Sequence, residues 1–337
     1  MKNIILLTEG VLKGRRVGIF RGFVQAAFTL FSIYAGYNFY MFYLWACGIS
    51  RVTHARPPSV EAFLPISALV GLKRLILTGR WDMVHPAGLT VFLAIIAISF
   101  LLRKSFCGWI CPVGFISNIA EKTGRAFHLL FRLPAWVDIP LLSLKYLLLG
   151  FFCYLILWQM DMKQIELFLT SPYNMTADVR MLVFFLRPST LSLAVMLFLL
   201  IISFFIRNFW CRYLCPYGAL LGILAMASPF QVKRDPDICI TCGKCEDICP
   251  ASIKITQRSI IRTPECTGCT ECISSCPVEQ CLSLGTPFKR SVPAMLLPVL
   301  AISLFLLFWL VSLVTGHWHT QISPEMIKYF CSRMSIN

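Results

Sequence analysis

The chain has 337 residues, of which 57% are hydrophobic and only 14% are charged, and its mean hydropathy is +0.72. A soluble domain carries about 25% charged residues, so the composition excludes an ordinary soluble protein and predicts an integral membrane protein. The formal net charge of +15 does not indicate nucleic-acid binding, because the basic residues lie beside apolar segments rather than on a polar domain.

Apolar segments of suitable length are predicted to cross the bilayer as helices, since about 20 apolar residues span its hydrocarbon core. In chain order they cover about 17–46, 87–102, 141–159, 191–206 and 292–314. Residues 1–16 form a basic leader, and no secretory signal is predicted. The connecting segments 47–86 and 161–188 are predicted to be extramembrane loops, the first with an interfacial amphipathic helix near 63–77.

The distribution of Lys and Arg predicts which side of the membrane each segment faces. With a cytoplasmic N-terminus, the inner segments hold 20 of these residues and the outer segments hold 10. The inner segments are 1–21, 103–140 and 207–290, and the outer segments are 47–86, 161–188 and 315–337. This bias predicts a multi-pass protein of a prokaryotic cytoplasmic membrane, with residues 231–290 on the cytoplasmic side.

Few polar side chains fall in or beside the predicted spans. Arg21 and Gln25 interrupt the first span, and we expect Arg21 to snorkel towards the inner surface. Asp82 and His85 precede the second span at the predicted outer face. They are either proton-accepting groups of a quinol site or ordinary interfacial residues, and the second interpretation is the simpler. Paired mid-span histidines and C-x-x-C-H are absent from the sequence, so haem is not indicated. No flavin site is indicated either.

Two C-x3-C-P motifs form an internal repeat. F-C-G-W-I-C-P-V-G begins at Phe106 and W-C-R-Y-L-C-P-Y-G begins at Trp210, each after an apolar span and a basic residue. Cysteines four apart share a helix face, and the following proline disfavours further helix. Three interpretations stay open for the thiols: an additional iron–sulfur cluster, a redox dithiol or metal relay, and simple packing. The four cysteines are Cys107, Cys111, Cys211 and Cys215.

Eight further cysteines follow a pattern typical of bacterial ferredoxins. The blocks beginning at Cys239 and Cys266 each read C-x2-C-x2-C-x3-C-P, a run in which the fourth cysteine ligates the other cluster. A disulfide scaffold would need an oxidising compartment, and structural zinc does not use this spacing. The pattern therefore predicts two [4Fe–4S] clusters. One would be held by Cys239, Cys242, Cys245 and Cys276, and the other by Cys266, Cys269, Cys272 and Cys249.

Together these features predict an all-α integral membrane protein of about five transmembrane helices, with a small α+β two-cluster ferredoxin module. The predicted domains are a four-span core over residues 1–230, a cytoplasmic 2[4Fe–4S] module over 231–290, and a fifth helix with a short tail over 291–337.

The order of these motifs resembles the membrane-bound polyferredoxin family typified by NapH and YccM, whose core is shared with NosR and CcoG/FixG-type proteins. The resemblance rests on the two C-x3-C-P motifs followed by two ferredoxin quartets, and covers about residues 17–287. It implies electron transfer between the quinone pool and a partner protein, either a cytochrome or an iron–sulfur subunit. The alternative is a maturation or regulatory protein that reduces a metal ion or a thiol on a partner metalloenzyme.

Overall fold

A computed structural model describes residues 2–286 and 291–333, and this part of the chain is mostly helical. Helix α1 (Lys2–Ala46) runs for 45 residues without a break, so the predicted basic leader continues directly into the first apolar segment. The hydroxyl of Thr29 donates to the carbonyl oxygen of Gln25, one turn earlier in this helix, at 2.7 Å.

The segments predicted to be loops contain helices. Between residues 47 and 86 lie a 3₁₀ turn (Pro58–Phe63) and α2 (Pro65–Thr78), which ends at Gly79 in the left-handed conformation. The prediction of a loop over 161–188 is wrong, because α7 (Met162–Leu169), α8 (Pro172–Met175) and α9 (Ala177–Leu186) lie there. Helix α7 begins with a capping box between Asp161 and Gln164.

Four of the other helices coincide with predicted apolar spans: α3 (Pro86–Leu102), α6 (Ala135–Cys153), α10 (Thr190–Phe205) and α14 (Leu296–Val314). Outside the predicted spans lie α4 (Ser105–Trp109), α5 (Pro112–Ala126), α11 (Pro216–Ala225) and α15 (Pro324–Arg333). A π-helical turn (Tyr154–Gln159) extends α6, and the Lys73 ammonium donates to its carbonyl oxygens at Ile156 and Leu157, at 3.0 and 3.1 Å. A second π-helical turn (Trp210–Leu214) precedes α11.

Among the described residues, three helical stretches are long and apolar enough to cross a membrane. They are Val17–Ala46, Ala135–Gln159 and Leu296–Val314. Helices α9 and α10 together give a fourth if the pair, bent by 78°, counts as one span. Helix α3 is apolar but has only 17 residues. By length and composition the chain is therefore a membrane protein with three or four candidate spans.

The segment that contains the ferredoxin motifs folds around a small antiparallel sheet. Its strands, in the order β2-β1-β3-β4, are β1 (Gln231–Arg234), β2 (Ile260–Ile261), β3 (Leu282–Gly285) and β4 (Ser291–Val292). Val232 on β1 lies opposite Ile261 on one side and Leu284 on the other, and all three are buried. Two short helices, α12 (Lys244–Asp247) and α13 (Glu271–Ser274), carry cysteines towards this core.

The chain divides into two compact units, each built from three separate segments. The first comprises Met1–Thr29, Ile95–Leu149 and Leu197–Leu304; the second comprises Leu30–Ala94, Gly150–Met196 and Phe305–Asn337. Every boundary falls inside a helix, namely α1, α3, α6, α10 and α14. Of the sixteen cysteines only Cys47, Cys153 and Cys331 belong to the second unit. We therefore call the first the thiol-rich unit and the second the thiol-poor unit.

Candidate iron–sulfur sites

The first predicted ferredoxin quartet lines one cavity of the thiol-rich unit. Cys239, Cys242, Cys245 and Cys276 all face this cavity, together with Cys281. Partial burial raises the pKa of Cys239, but hydrogen bonds from the Thr241 N–H and the Arg234 side chain outweigh it and hold the pKa below its ordinary value. A thiol stabilised as thiolate suits a metal ligand.

The second predicted quartet is more deeply enclosed. Cys249 interacts electrostatically with Cys266 and Cys269. Cys272 interacts in the same way with Cys249, Cys266 and Cys269. Burial, reinforced by these neighbouring thiols, raises the pKa of Cys249 to about 12. Such thiols stay protonated at neutral pH unless a positive centre compensates, and bound metal supplies that charge.

The two ferredoxin loops share a backbone conformation that the sequence did not reveal. Thr241 and Gly243 in the first loop, and Gly268 and Thr270 in the second, all have positive φ, between 51° and 73°. These residues stand two and four positions after Cys239 and Cys266. Threonine rarely adopts this conformation, so the tertiary structure imposes the same turn on both loops.

The four C-x3-C-P cysteines also come together in the thiol-rich unit. Cys107 is close enough to Cys111 and Cys215 to interact with them electrostatically, and Cys211 interacts in the same way with the other three. Burial, reinforced by the neighbouring thiols Cys111 and Cys215, raises the pKa of Cys107 to about 12, an effect that Lys104 opposes. The sequence left the proximity of the two motifs open, and the structure supplies it.

Each C-x3-C-P motif ends in the same local arrangement. Cys111 and Cys215 are the N-terminal caps of α5 and α11, each followed by proline in the first turn. The Gly218 N–H donates to Cys215 Sγ at 3.2 Å, and the N–H groups of Val113 and Gly114 donate to Cys111. Backbone donors to sulfur and the positive end of a helix both stabilise a thiolate. The two repeats thus hold Cys111 and Cys215 in equivalent local environments.

The spacing of these thiols bears on what they could hold. Among the described residues, no three His, Cys, Asp or Glu side chains converge closely enough for a single ion. A tetrahedral zinc site with Zn–S bonds of about 2.3 Å would bring its sulfurs within about 3.8 Å of one another. A cubane binds each cysteine at a different iron, so its ligands stand further apart. The twelve cysteines of the three quartets are free thiols, as cluster ligation requires.

The first helix contacts both the C-x3-C-P turn and the ferredoxin loops. Arg21 donates to the Gly108 carbonyl oxygen at 2.7 Å and pairs with Glu271 at 3.0 Å, and Gln25 donates to the same carbonyl at 3.0 Å. The prediction that Arg21 snorkels is wrong, because its side chain is buried between these partners. Nothing in the sequence connects Arg21 with Glu271, 250 residues away.

The turn that carries Cys107 packs tightly against the second ferredoxin loop. The Trp109 indole N–H donates to the Gly268 carbonyl oxygen at 3.1 Å. A Cβ atom added at Gly108 would lie 2.6 Å from the Thr267 carbonyl oxygen, so only glycine fits there. The C-x3-C-P quartet and the second ferredoxin quartet therefore lie on directly contacting segments.

The predicted quinol-site residues lie in the thiol-poor unit and are buried, in contrast to the interfacial interpretation. His85 and Asp82 are 1% and 2% exposed. Asp82 Oδ1 accepts the N–H of Val84 at 2.8 Å, and His85 Nε2 lies 2.7 Å from the Asn174 carbonyl oxygen. Burial raises the pKa of the Asp82 carboxyl, although the nearby N–H groups and His85 oppose the shift.

Three charged residues that sequence reasoning missed surround His85. The Arg56 guanidinium pairs with Asp178 at 2.7 Å and with Glu61 at 3.1 Å, and its Nη2 lies 3.2 Å from His85 Nδ1. Arg56 and Asp178 are 122 residues apart, so no local pattern could have indicated the pair. The result is a buried charge network at the start of α3.

Comparison with known proteins places these sites in a family context. The model of a 4Fe-4S binding domain matches residues 84–133 and 189–234, and the model of a 4Fe-4S dicluster domain matches residues 231–281. Each of the first two matches contains one C-x3-C-P pair, and the third contains both ferredoxin blocks. The iron–sulfur character predicted from the sequence is therefore confirmed.

Several curated proteins are similar to the chain. The putative electron transport protein YccM of Escherichia coli (strain K12) is 39% identical over 326 residues, which is 93% of this chain and 90% of YccM. The ferredoxin-type protein NapH of Haemophilus influenzae is 28% identical over 61% of this chain and 71% of its own length. The regulatory protein NosR of Pseudomonas aeruginosa is 30% identical over 57% of this chain and 27% of its own length. No solved structure gives a significant match.

Proposed function

Because the chain belongs to the membrane-bound polyferredoxin family of YccM-, NapH- and NosR-like proteins, we propose that it passes electrons between the quinone pool and a partner redox protein. The partner would be a cytochrome or an iron–sulfur subunit. The chain carries 4Fe-4S domains and apolar helices suited to a membrane. The observation that carries the proposal is that twelve cysteines from four motifs gather into three quartets.

The three quartets are the proposed cluster ligands. Two would hold the ferredoxin clusters with the crossed assignment, Cys239, Cys242, Cys245 and Cys276 for one and Cys249, Cys266, Cys269 and Cys272 for the other. The third would hold an additional cluster with Cys107, Cys111, Cys211 and Cys215. A [4Fe–4S] cluster, when bound, accepts and releases one electron at a time.

The residues around the quartets would tune how readily each site accepts an electron. Buried positive charge favours the reduced form, and hydrogen bonds to sulfur act in the same direction. Lys104 lies near Cys107, and Arg21 lies near Cys269. The backbone N–H donors at Cys111 and Cys215 complete this environment.

We further propose five membrane spans with the ferredoxin module, residues 231–290, in the cytoplasm. The twofold excess of Lys and Arg in the inner segments supports this orientation. The span count is supported by the helices α1, α3, α6, α10 and α14, each of which coincides with one of the five predicted spans.

Asp82 and His85 are the residues that we propose take up protons when quinol is oxidised. A carboxyl group with a raised pKa and a histidine next to it are suited to proton transfer near neutral pH. The double variant Asp82→Asn/His85→Gln should slow reduction of the clusters by quinol while leaving reduction by dithionite unchanged. Equal rates with quinol in the variant and the unmodified protein would contradict this role.

The second candidate function is maturation or regulation of a metalloenzyme, and it is favoured by the similarity to the regulatory protein NosR. The variant Cys242→Ala separates the two functions. Under the electron-transfer proposal, quinol-linked reduction of the partner is lost while the partner keeps its own metal content. A partner that arrives without its metal would instead support maturation and contradict direct electron transfer.

A further inference from the structure

Two cysteines outside the iron–sulfur motifs meet in the thiol-poor unit. Cys47 follows α1 directly, and Cys331 lies near the end of α15, 284 residues further along the chain. Their thiols are in hydrogen-bond contact, and both pack in one hydrophobic cluster with Tyr43 and Ile327. From this contact we propose that Cys47 and Cys331 form a disulfide bond that fastens the C-terminal helix to the end of the first helix.

The packing around the two thiols holds them in place. Ile327 and Cys331 stand four residues apart on one face of α15 and are 2% and 1% exposed. Lys328 from the same helix lies 4.9 Å from the centre of the Trp45 ring at the end of α1. The Cys47 N–H still donates to the Tyr43 carbonyl oxygen at 2.9 Å, so its backbone continues the helix. Both cysteines are thus positioned by elements that contact each other over several residues.

The compartment of the two thiols decides whether they are oxidised. The proposed topology places residues 47–86 and 315–337 on the outer face of the membrane, where disulfides persist. This placement rests on the proposed function, whereas the contact between the two thiols does not. The oxidant is a protein disulfide of that compartment. The Cys47 thiolate attacks one of its sulfurs to form a mixed disulfide and releases the other as a thiolate. The Cys331 thiolate then attacks Cys47 sulfur, and the oxidant leaves as a dithiol with both electrons.

The surroundings of Cys47 and Cys331 favour a lasting structural disulfide over one that is readily exchanged with other thiols. Burial, with the neighbouring Cys47 thiol, raises the pKa of Cys331 to about 12, and burial also raises the pKa of Cys47. Protonated thiols are weak nucleophiles, so the bond is expected to form while α15 docks. Cys47 is the half-buried member of the pair and Cys331 the buried one, so the oxidant reaches Cys47 first.

The test is a peptide map of the full-length protein from cells quenched in acid and alkylated under denaturing conditions. Trypsin releases Cys331 in the peptide 329–333 and Cys47 in the peptide 22–51. We expect the two peptides to be recovered linked, to separate only after reduction, and to come from protein that migrates as a monomer. Recovery of peptide 329–333 chiefly with alkylated Cys331 would overturn the proposal, and so would a linked peptide found only in a covalent dimer.

Matched variants separate this bond from the iron–sulfur sites. In Cys47→Ser, Cys331 should become fully alkylated while the iron content per chain stays at the level of the unmodified protein. In Cys153→Ser, which removes the remaining cysteine of the thiol-poor unit, the linked peptide should persist. Loss of the linked peptide in Cys153→Ser would contradict the assignment. Normal linkage in protein without iron would uphold the bond and contradict the proposed function instead.

Discussion

The two compact units bury reactive side chains in different ways. In the thiol-poor unit, the Arg56 guanidinium pairs with two buried carboxylates, Glu61 and Asp178, and the His85 ring lies beside Glu61, so protein groups supply the positive charge. In the thiol-rich unit, Cys107 and Cys249 are thiols with raised pKa values that no protein cation fully compensates. The first site thus combines charges of both signs within the protein, whereas the thiols of the second need an added positive charge, such as bound iron, to become thiolate ligands.

The largest expected effect is the loss of a cluster ligand from the thiol-rich unit. The variant Cys272→Ala removes the thiol that interacts electrostatically with Cys249, Cys266 and Cys269. We expect the iron content to fall by about four atoms per chain, since each cubane holds four. Iron and acid-labile sulfide assays measure the loss. Cys153→Ala is the control and should keep all iron; unchanged iron in Cys272→Ala would refute the second quartet.

A smaller effect, on stability rather than on iron, is expected in the thiol-poor unit. The variant Arg56→Met removes the guanidinium that pairs with the buried carboxylates of Glu61 and Asp178, a change that typically costs about 3–5 kcal/mol. Thermal unfolding of the solubilised protein should show the loss while the iron content per folded chain stays constant. The control Arg132→Met breaks the exposed pair with Asp247, whose side chains are 50% and 70% exposed, and should cost at most about 1 kcal/mol. Equal losses in the two variants would contradict the network.

The smallest effect is a change in the pH dependence of stability. Burial and Arg56 lower the pKa of His85, but Glu61 and Asp178 outweigh them, so the net pKa lies above its ordinary value. The folded protein then holds this proton more tightly than the unfolded chain does. The resulting stability is fully present below about pH 6.5 and is lost as the pH rises through the folded pKa.

The variant His85→Gln should therefore flatten the decrease in melting temperature above about pH 6.5. His54→Gln is the matched control, because His54 is outside the network. A slope that persists in His85→Gln would show that another group causes the pH dependence.

The sequence predicted the features that depend on local spacing. The ferredoxin blocks, the C-x3-C-P repeat, the membrane character and the family resemblance all follow from nearby residues. The comparisons confirm the iron–sulfur character and the family, and the long apolar helices support the membrane character. Helix α7 was missed although Asp161 and Gln164 form a capping box, because the polar composition of residues 161–188 was interpreted as a loop.

Features that depend on distant residues could not be predicted. The pairs Arg21–Glu271 and Arg56–Asp178 join residues more than 100 positions apart, and only tertiary packing brings them together. The left-handed conformation of Thr241 and Thr270 is likewise imposed by the fold, against the preference of the residue. The proximity of Cys107 and Cys211 also depends on tertiary packing, although a cluster shared by the two C-x3-C-P motifs was one of the interpretations that the sequence left open.

The most direct test of the proposed third site is the iron and acid-labile sulfide content of the anaerobically purified protein, beside that of the double variant Cys107→Ser/Cys211→Ser. Three cubanes predict about 12 iron atoms per chain in the unmodified protein and about 8 in the variant. A content of about 8 in both proteins would show that the C-x3-C-P thiols hold no cluster and would contradict the central claim.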